Sequence, residues 1–172
     1  MVDVQIVIGS ITEQDVDAIV NSANTSMVMG GGVAAAILAE AGPEVEEEAI
    51  SRAPVQVGDV VVTGGGDLPI ERIFHVAVVG DVPPDIYECT LKVLERAAEL
   101  GVERLAFPAL GTGSAGVPVR EAARAMCRAI AEFVAAGSSI SSIHVVLWDE
   151  EHFAIFERAL RRAMRHRRED DF

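Results

Sequence analysis

The chain alternates between short apolar stretches that are typical of β-strands and longer stretches with helical periodicity. This alternation predicts a sheet with helices on both faces, that is, an α/β/α sandwich with a mostly parallel or mixed sheet. The predicted strands cover residues 4–8, 18–22, 59–63, 72–79, 104–107 and 143–147, and the predicted helices cover 33–40, 43–51, 84–100, 118–136 and 150–165.

One connection lacks a helix. Residues 59–63 lead into residues 72–79 through the turn at Gly64, Gly65 and Gly66. Because parallel neighbours need a long crossover and antiparallel neighbours do not, we expect these two strands to be antiparallel. No helix follows this glycine turn directly, so it is interpreted as a strand connection and not as a ligand site.

The length of 172 residues suits a single domain over residues 1–172, with a frayed charged tail at residues 166–172. No apolar stretch approaches the roughly 18 residues of a membrane-spanning helix, and the first residues lack a secretory signal pattern. We therefore expect a cytoplasmic protein without membrane contact. Cys89 and Cys127 are expected to be reduced thiols, with a disulfide between them as the less favoured alternative.

The formal net charge of −13 argues against a nucleic-acid partner, because affinity for nucleic acids depends largely on Lys and Arg. Two explanations of the acidic excess stay open: an adaptation to high salt and an ordinary acidic surface. The sequence has no CxxC or HxxxH spacing, so neither a metal nor a cofactor is expected.

Two glycine-rich segments each lie between a predicted strand and a predicted helix. The first is Gly30-Gly31-Gly32, and the second is Gly-Thr-Gly-Ser-Ala-Gly at residues 111–116. Glycine lets the backbone approach an anion closely, and a following helix N-terminus offers unpaired N–H groups. Two such segments favour a diphosphate, and therefore a nucleotide-like ligand.

Two alternatives compete with this interpretation. Gly111, Gly113 and Gly116 match the GxGxxG pattern of dinucleotide-binding proteins, but the acidic residue should follow about 20 positions later. The next predicted strand is followed only by Asp149, which is too far away, so a nicotinamide dehydrogenase is disfavoured. Tight turns without any ligand remain an alternative for both segments.

Four segments follow one another along the chain: Gly-Ser-Ile-Thr at 9–12, Asp-Ala-Ile-Val-Asn-Ser-Ala-Asn at 17–24, Gly-Gly-Gly-Val-Ala at 30–34 and Phe-Pro-Ala-Leu-Gly-Thr-Gly at 107–113. In this order they resemble the signature blocks of the macro domain family, above all its stand-alone bacterial and archaeal members. The resemblance covers nearly the whole chain. It implies a three-layer α/β/α fold, a six-stranded mixed sheet, and a cleft at the strand ends that binds ADP-ribose, either free or attached to a protein.

The resemblance also implies roles for single residues. Ser10 and Ile11 would meet the adenine, although the family usually has Asp in the place of Ser10, so adenine recognition is expected to be weaker. Asn24 would hold the terminal ribose and position a water molecule, which makes it the candidate catalytic residue. Trp148 would stack on the adenine, with a core position as its alternative. The ribose and phosphates would be held by Gly31, Gly32, Val33, Gly111, Thr112, Gly113, Ser114, Ala115 and Gly116.

Catalysis is left open by the sequence. The hydrolytic branch of the family has Asp where this chain has Ala34, and Ser114 and Ala115 replace an aromatic residue that often clamps the ribose. The candidates are an ADP-ribose-binding module, a hydrolase of ADP-ribosyl esters or O-acetyl-ADP-ribose, an ADP-ribose-1″-phosphate phosphatase, and a protein that prefers another nucleoside diphosphate. His75 is expected to be a core histidine without a role in acid–base chemistry.

Overall fold

The computed structural model describes residues 1–170 and contains one six-stranded sheet with helices on both faces. This confirms the predicted fold class. The strands are β1 (Asp3–Ile8), β2 (Ala18–Asn24), β3 (Val60–Gly64), β4 (Arg72–Val79), β5 (Arg104–Phe107) and β6 (Ser142–Leu147). The helices are α1 (Gly32–Ala41), α2 (Pro43–Ile50), α3 (Ile86–Glu99), α4 (Val119–Ala136) and α5 (Glu150–Asp170), and a single 3-10 turn (Ile11–Glu13), which the sequence analysis missed, follows β1.

The strand order is β1-β6-β5-β2-β4-β3, and every neighbouring pair is parallel except β3 and β4. The predicted antiparallel pair is therefore confirmed. The turn between these two strands requires glycine, because a Cβ atom on Gly65 would lie 2.4 Å from the Ile70 carbonyl oxygen. On Gly66 it would lie 2.2 Å from the Ala41 carbonyl oxygen. This glycine run is a tight turn packed against protein.

Successive side chains of β2 point to opposite faces of the sheet and mark its two helical layers. Val20 belongs to a large apolar cluster with residues from α3, α4 and α5, whereas Ile19 belongs to a smaller cluster with residues from α1 and α2. The largest fully buried side chains include Phe74, Phe107 and Phe156, all in the larger cluster. This core fixes the strands whose ends form the site.

The last helix is longer than predicted. It continues through residues 166–170, where the sequence analysis expected a frayed tail, while residues 171–172 lie outside the described part of the chain. An Arg167 guanidinium N–H donates to the Ala131 carbonyl oxygen over 3.3 Å and ties the end of α5 to α4. No helix within residues 1–170 is both long enough and apolar enough to cross a bilayer.

Both cysteines are free thiols inside the larger cluster. Burial raises the pKa of Cys127 to about 12. Burial, reinforced by Asp85, raises the pKa of Cys89 to about 11. Neither thiol ionises readily at neutral pH, which fits packing residues and not nucleophiles.

Candidate ligand-binding cleft

A cleft of about 590 Å³ opens where the carboxyl ends of the parallel strands meet the loops that lead into α1, α4 and α5. Ligands of open α/β sheets characteristically bind at this edge. The volume lies within the range of about 300–1,000 Å³ that is typical of small-molecule sites. The structure brings these predicted site residues together on its walls: Asn24, Gly31, Gly32, Val33, Gly111, Thr112, Gly113, Ser114, Ala115 and Trp148.

One wall of the cleft is the N-terminus of α1. Gly31 is its N-cap residue and provides no side-chain cap, so the N–H groups of the first turn have no side-chain partner there. A Cβ atom on Gly30, Gly31 or Gly32 would meet no protein atom within 4 Å. The backbone of this segment therefore faces the cleft without any side chain in front of it. The positive end of the helix dipole lies beside the space for a ligand.

The facing wall is the loop from Pro108 to Gly116. Its bend depends on Gly111 and Gly116, which have φ angles of +76° and +70° in the region that favours glycine. The Val117 N–H donates to the Gly111 carbonyl oxygen over 2.9 Å and closes the loop. The Gly111 N–H lies 3.4 Å from the Ser22 hydroxyl oxygen, so the loop is also tied to the end of β2.

Inside this loop, four consecutive backbone N–H groups have no hydrogen-bond acceptor among the described residues. Within residues 1–170, the N–H groups of Thr112, Gly113, Ser114 and Ala115 donate to no protein acceptor. Unpaired backbone donors that line a concave surface are well suited to bind an anion. The second glycine segment therefore offers the donors that a phosphate needs.

Asn24 lies at the end of β2 and organises the loop that leads to Gly30. Its side-chain oxygen accepts from the N–H and the hydroxyl of Ser26, over 3.1 and 2.7 Å, and its amide nitrogen donates to the Val28 carbonyl oxygen over 3.1 Å. The oxygen is thus satisfied, whereas one amide hydrogen remains for a ligand. Asn24 therefore stabilises the turn and still has a donor for the ligand role that the resemblance implies.

Trp148 lies at the rim of the cleft with 64% of its surface exposed, so it is not a core residue. It follows β6 directly, and the next residue, Asp149, accepts a hydrogen bond from the His152 N–H over 2.8 Å at the start of α5. Val28, also on the rim, is 48% exposed. The rim therefore exposes two large apolar side chains to solvent.

Three predicted residues do not line the cleft. Ile11 is only 3% exposed and packs in the smaller apolar cluster. Ser10 is half-buried, and its hydroxyl shares a hydrogen bond of 2.9 Å with Thr12. Gly116, whose N–H donates to the Gly113 carbonyl oxygen over 2.9 Å, is at the end of the second loop and outside the lining. Ser10 follows β1, whose last residue pairs with Leu147 of β6, so it lies at the same sheet edge as the cleft.

The sequence analysis missed about half of the lining residues. Half of them lie among the last residues of β2, β4 and β6, and their position at the carboxyl ends of parallel strands was a usable signal. The lining residues outside the predicted set are Ser22, Ala23, Val28, Gly30, Ala34, Val78, Val79, Pro108, Ala109, Val146, Leu147 and His152, although Gly30 and Ala34 lie in segments that the sequence had already indicated.

The described lining of the cleft contains no Asp, Glu, Lys or Arg, and His152 is its one imidazole. A phosphate here would meet backbone N–H groups and helix dipoles instead of guanidinium or ammonium groups. Ala34, in the first turn of α1, lines the cleft where a hydrolytic relative would carry a carboxylate. The lining is thus equipped to bind an anion and lacks a carboxylate base.

His75 lies outside the cleft in a buried polar cluster. Its Nε2 lies 2.9 Å from the Thr63 hydroxyl, which donates to the Gly64 carbonyl oxygen, and its Nδ1 lies 3.0 Å from the Asn21 amide nitrogen. These contacts fit a neutral ring that donates through Nε2 and accepts through Nδ1. Burial lowers the pKa of His75 to about 4, as expected of a core histidine.

The family model of the macro domain matches residues 20–126 of the chain. The chain is 34% identical over 169 residues to the O-acetyl-ADP-ribose deacetylase of Enterobacter sp. (strain 638), with 91% of this chain and 93% of that protein covered. The chain therefore belongs to the macro domain family.

Solved structures agree with this assignment. A mutant of the Oceanobacillus iheyensis macrodomain, solved with ADPR, superposes with a TM-score of 0.86 at 28% identity, covering 93% of this chain and 92% of that one. The Trypanosoma brucei macrodomain in complex with ADP-ribose gives a TM-score of 0.84 at 28% identity, covering 91% of this chain and 68% of that one. The fold expected from the resemblance is thus confirmed.

Proposed function

We propose that this protein binds ADP-ribose, free or attached to a protein, in the cleft between its two glycine segments. The observation that carries the proposal is the pair of facing walls, each with unpaired backbone N–H groups and neither with a carboxylate. A diphosphate placed between them would be held from both sides by neutral donors. The two neighbouring macrodomain structures that contain this ligand support the proposal.

The rest of the ligand would extend to the two ends of the cleft. The remaining amide hydrogen of Asn24 would donate to a hydroxyl of the terminal ribose. The exposed ring of Trp148 would stack on the adenine at the opposite rim, with Ser10 and the Ile11 backbone at the same sheet edge. Since Ser10 carries no charge, we propose that adenine recognition depends more on stacking than on a charge-assisted hydrogen bond.

Titration calorimetry with ADP-ribose tests the proposal, with ADP and NAD as competitors. The blocking variant is Gly31→Glu, because a Cβ atom on Gly31 meets nothing within 4 Å and its φ of −163° suits any residue. The matched control is Ser139→Glu, which adds the same charge on the exposed loop before β6, at the opposite edge of the sheet.

We expect saturable binding that prefers ADP-ribose, persists in Ser139→Glu and is lost in Gly31→Glu. Equal binding of ADP and ADP-ribose would instead favour a protein specific for nucleoside diphosphates in general. No binding by the folded protein would contradict the proposal.

Hydrolysis is the second candidate function, favoured by the similarity to the O-acetyl-ADP-ribose deacetylase. In this case Asn24 would orient the ribose and a water molecule, since the cleft has no carboxylate base. Deacetylation of O-acetyl-ADP-ribose that is lost in Asn24→Ala and kept in Ser26→Ala would support an enzyme. Ser26→Ala is the control because it loosens the same loop but leaves the amide in place. Tight binding without product would favour the binding module.

A further inference from the structure

A second concave surface of about 830 Å³ lies between α4 and α5, formed by other residues than the cleft. We call it the arginine groove. Its rim carries six arginines and one histidine although the whole chain has a net charge of −13. The rim residues are Arg120, Arg124, Arg128, Arg158, Arg162, Arg167 and His166.

The rim residues form two rows of like charge. Arg120, Arg124 and Arg128 follow one another at intervals of four along α4, and Arg158 and Arg162 do so on α5. Like charges at this spacing destabilise a helix by a few tenths of a kcal/mol per pair. Arg120 also lies in the first turn of α4, where the helix dipole disfavours a cation. The spacing of these like charges therefore does not stabilise the two helices.

In the part of the chain that the structure describes, no carboxylate forms an ion pair with these rows. Among the described side chains, the six rim arginines form no ion pair with a carboxylate, whereas Arg161, beside the groove, pairs with Glu157 over 3.1 Å. The one carboxylate in the lining, Glu132, accepts a hydrogen bond from the Tyr87 hydroxyl. Arg128 stacks over the Tyr87 ring at 4.2 Å, which holds its guanidinium group at the rim.

Between the two rows the floor of the groove is apolar, with Ala131, Ile155, Ala159 and Ala163. Small side chains let another backbone approach closely. The lining contains no Phe, Tyr or Trp on which a nucleobase would stack, and a phosphodiester chain has no apolar surface to cover the floor. The groove therefore suits a ligand with an apolar centre and acidic sides.

We infer that the arginine groove docks an acidic amphipathic helix of a partner protein. The apolar stripe of that helix covers the alanine floor, and its flanking carboxylates accept hydrogen bonds from the two rows of guanidinium groups. Glu and Asp at intervals of four along the partner helix match the spacing of the arginine rows. This surface is independent of ADP-ribose binding in the cleft.

A synthetic peptide tests the inference by fluorescence anisotropy with the full chain. The labelled peptide has about 18 residues, with Leu at i, i+3 and i+4 positions and Glu on both sides of this stripe. A second peptide keeps every Glu but has Gln in place of Leu, and a labelled single-stranded oligonucleotide of equal charge represents a nucleic acid. We expect only the Leu peptide to bind saturably, and more weakly as salt is raised.

Two charge reversals on the same helix locate the binding. Arg162→Glu alters the rim, whereas Arg161→Glu makes the same change one residue away, outside the groove. We expect Arg162→Glu to weaken peptide binding about tenfold or more, and Arg161→Glu to change it by less than about threefold. Thermal unfolding and ADP-ribose binding check that both variants keep the fold.

Equal weakening by the two variants would overturn the inference, because general electrostatic attraction would then explain it. If the Gln peptide bound as tightly as the Leu peptide, the apolar floor would not contribute to binding, which would also overturn the inference. Binding of the oligonucleotide in preference to the Leu peptide would replace the proposed partner with a nucleic acid. Absence of binding to the Leu peptide at low salt would also overturn it.

Discussion

Gly111 lies so close to Ile86 that a Cβ atom added to the glycine would stand 2.8 Å from the Ile86 Cδ1 atom. The same Cβ atom would lie 3.0 Å from a methyl group of Val117, and the φ angle of +76° disfavours any side chain. Gly113, two residues further on, has no atom within 4 Å of its Cβ position. The two glycines of one loop therefore serve different purposes, one structural and one open to the ligand.

This difference predicts opposite results for two alanine substitutions. We expect Gly111→Ala to lower the free energy of unfolding by about 2 kcal/mol or more, from backbone strain and overpacking. Gly113→Ala should leave it unchanged or raise it by up to about 1 kcal/mol, because the unfolded chain loses freedom. Urea unfolding measures both. Equal destabilisation by the two variants would contradict the assigned roles.

The adenine is expected to stack on Trp148. We expect Trp148→Ala to weaken ADP-ribose binding by about 1–3 kcal/mol, the usual contribution of one base on an aromatic ring. Binding of ribose 5-phosphate, which has no base, should not change. Ile8→Ala is a suitable control, since Ile8 is another exposed apolar residue and does not line the cleft. Equal losses for both ligands in Trp148→Ala, measured by calorimetry, would rule out stacking.

The buried ring of His75 predicts a pH-dependent stability. Its folded pKa of about 4 lies below the ordinary value of 6.5, so the unfolded chain binds a proton between these values that the folded chain does not. The stabilisation is fully present above pH 6.5 and is lost as the pH falls towards 4, by up to about 3 kcal/mol.

His75→Gln removes this titration, and an amide side chain retains both a donor and an acceptor for Thr63 and Asn21. As the pH falls from 7 to 4, the free energy of unfolding of the wild-type protein should therefore decrease more than that of His75→Gln. Urea unfolding across this pH range checks it. Parallel pH profiles would show that His75 does not account for the acid sensitivity.

Local sequence patterns were sufficient for the elements of this fold, because each strand and helix carries its own periodicity and end signals. The antiparallel β3 and β4 followed from the missing crossover alone. The end of α5 could not be predicted from local patterns, because Arg167 donates to the Ala131 carbonyl oxygen of α4, and these two residues are far apart in sequence. Tertiary contacts of this kind leave no local trace in the chain.

The cleft also has features that local sequence predicts and features that depend on tertiary contacts. The glycine segments were visible because their bare backbone is a local property. Ser22, by contrast, lines the cleft and contacts the Gly111 N–H only because β2 and β5 are neighbours in the sheet. The net charge of −13 did not indicate the arginine groove, because a total charge does not show how charges are distributed between the faces of a protein.

Ala34 is the position at which catalysis can be tested by adding a group. It is the third residue of α1, 7% exposed, and it lines the cleft. In Ala34→Asp the new carboxylate would lie beside the proposed ribose and phosphate positions. We expect the affinity for ADP-ribose to fall severalfold, because the carboxylate repels the diphosphate. Hydrolysis of O-acetyl-ADP-ribose should rise by about tenfold or more, because a general base is typically worth about 10²–10⁴ in rate.

Ala35→Asp separates these effects from a change in the helix. Ala35 also lies in the first turns of α1 but does not line the cleft, so its carboxylate still interacts favourably with the helix dipole, by about 0.3–1 kcal/mol. Ala35→Asp should therefore be as stable as the wild-type protein or slightly more so, whereas Ala34→Asp should lose some stability because its carboxylate replaces a nearly buried methyl group in the smaller apolar cluster. Only Ala34→Asp should alter affinity and turnover. If both variants changed turnover equally, the carboxylate would be acting through the helix and not through water in the cleft. If Ala34→Asp lost affinity without gaining turnover, the protein would be a binding module whose cleft cannot position the attacking water.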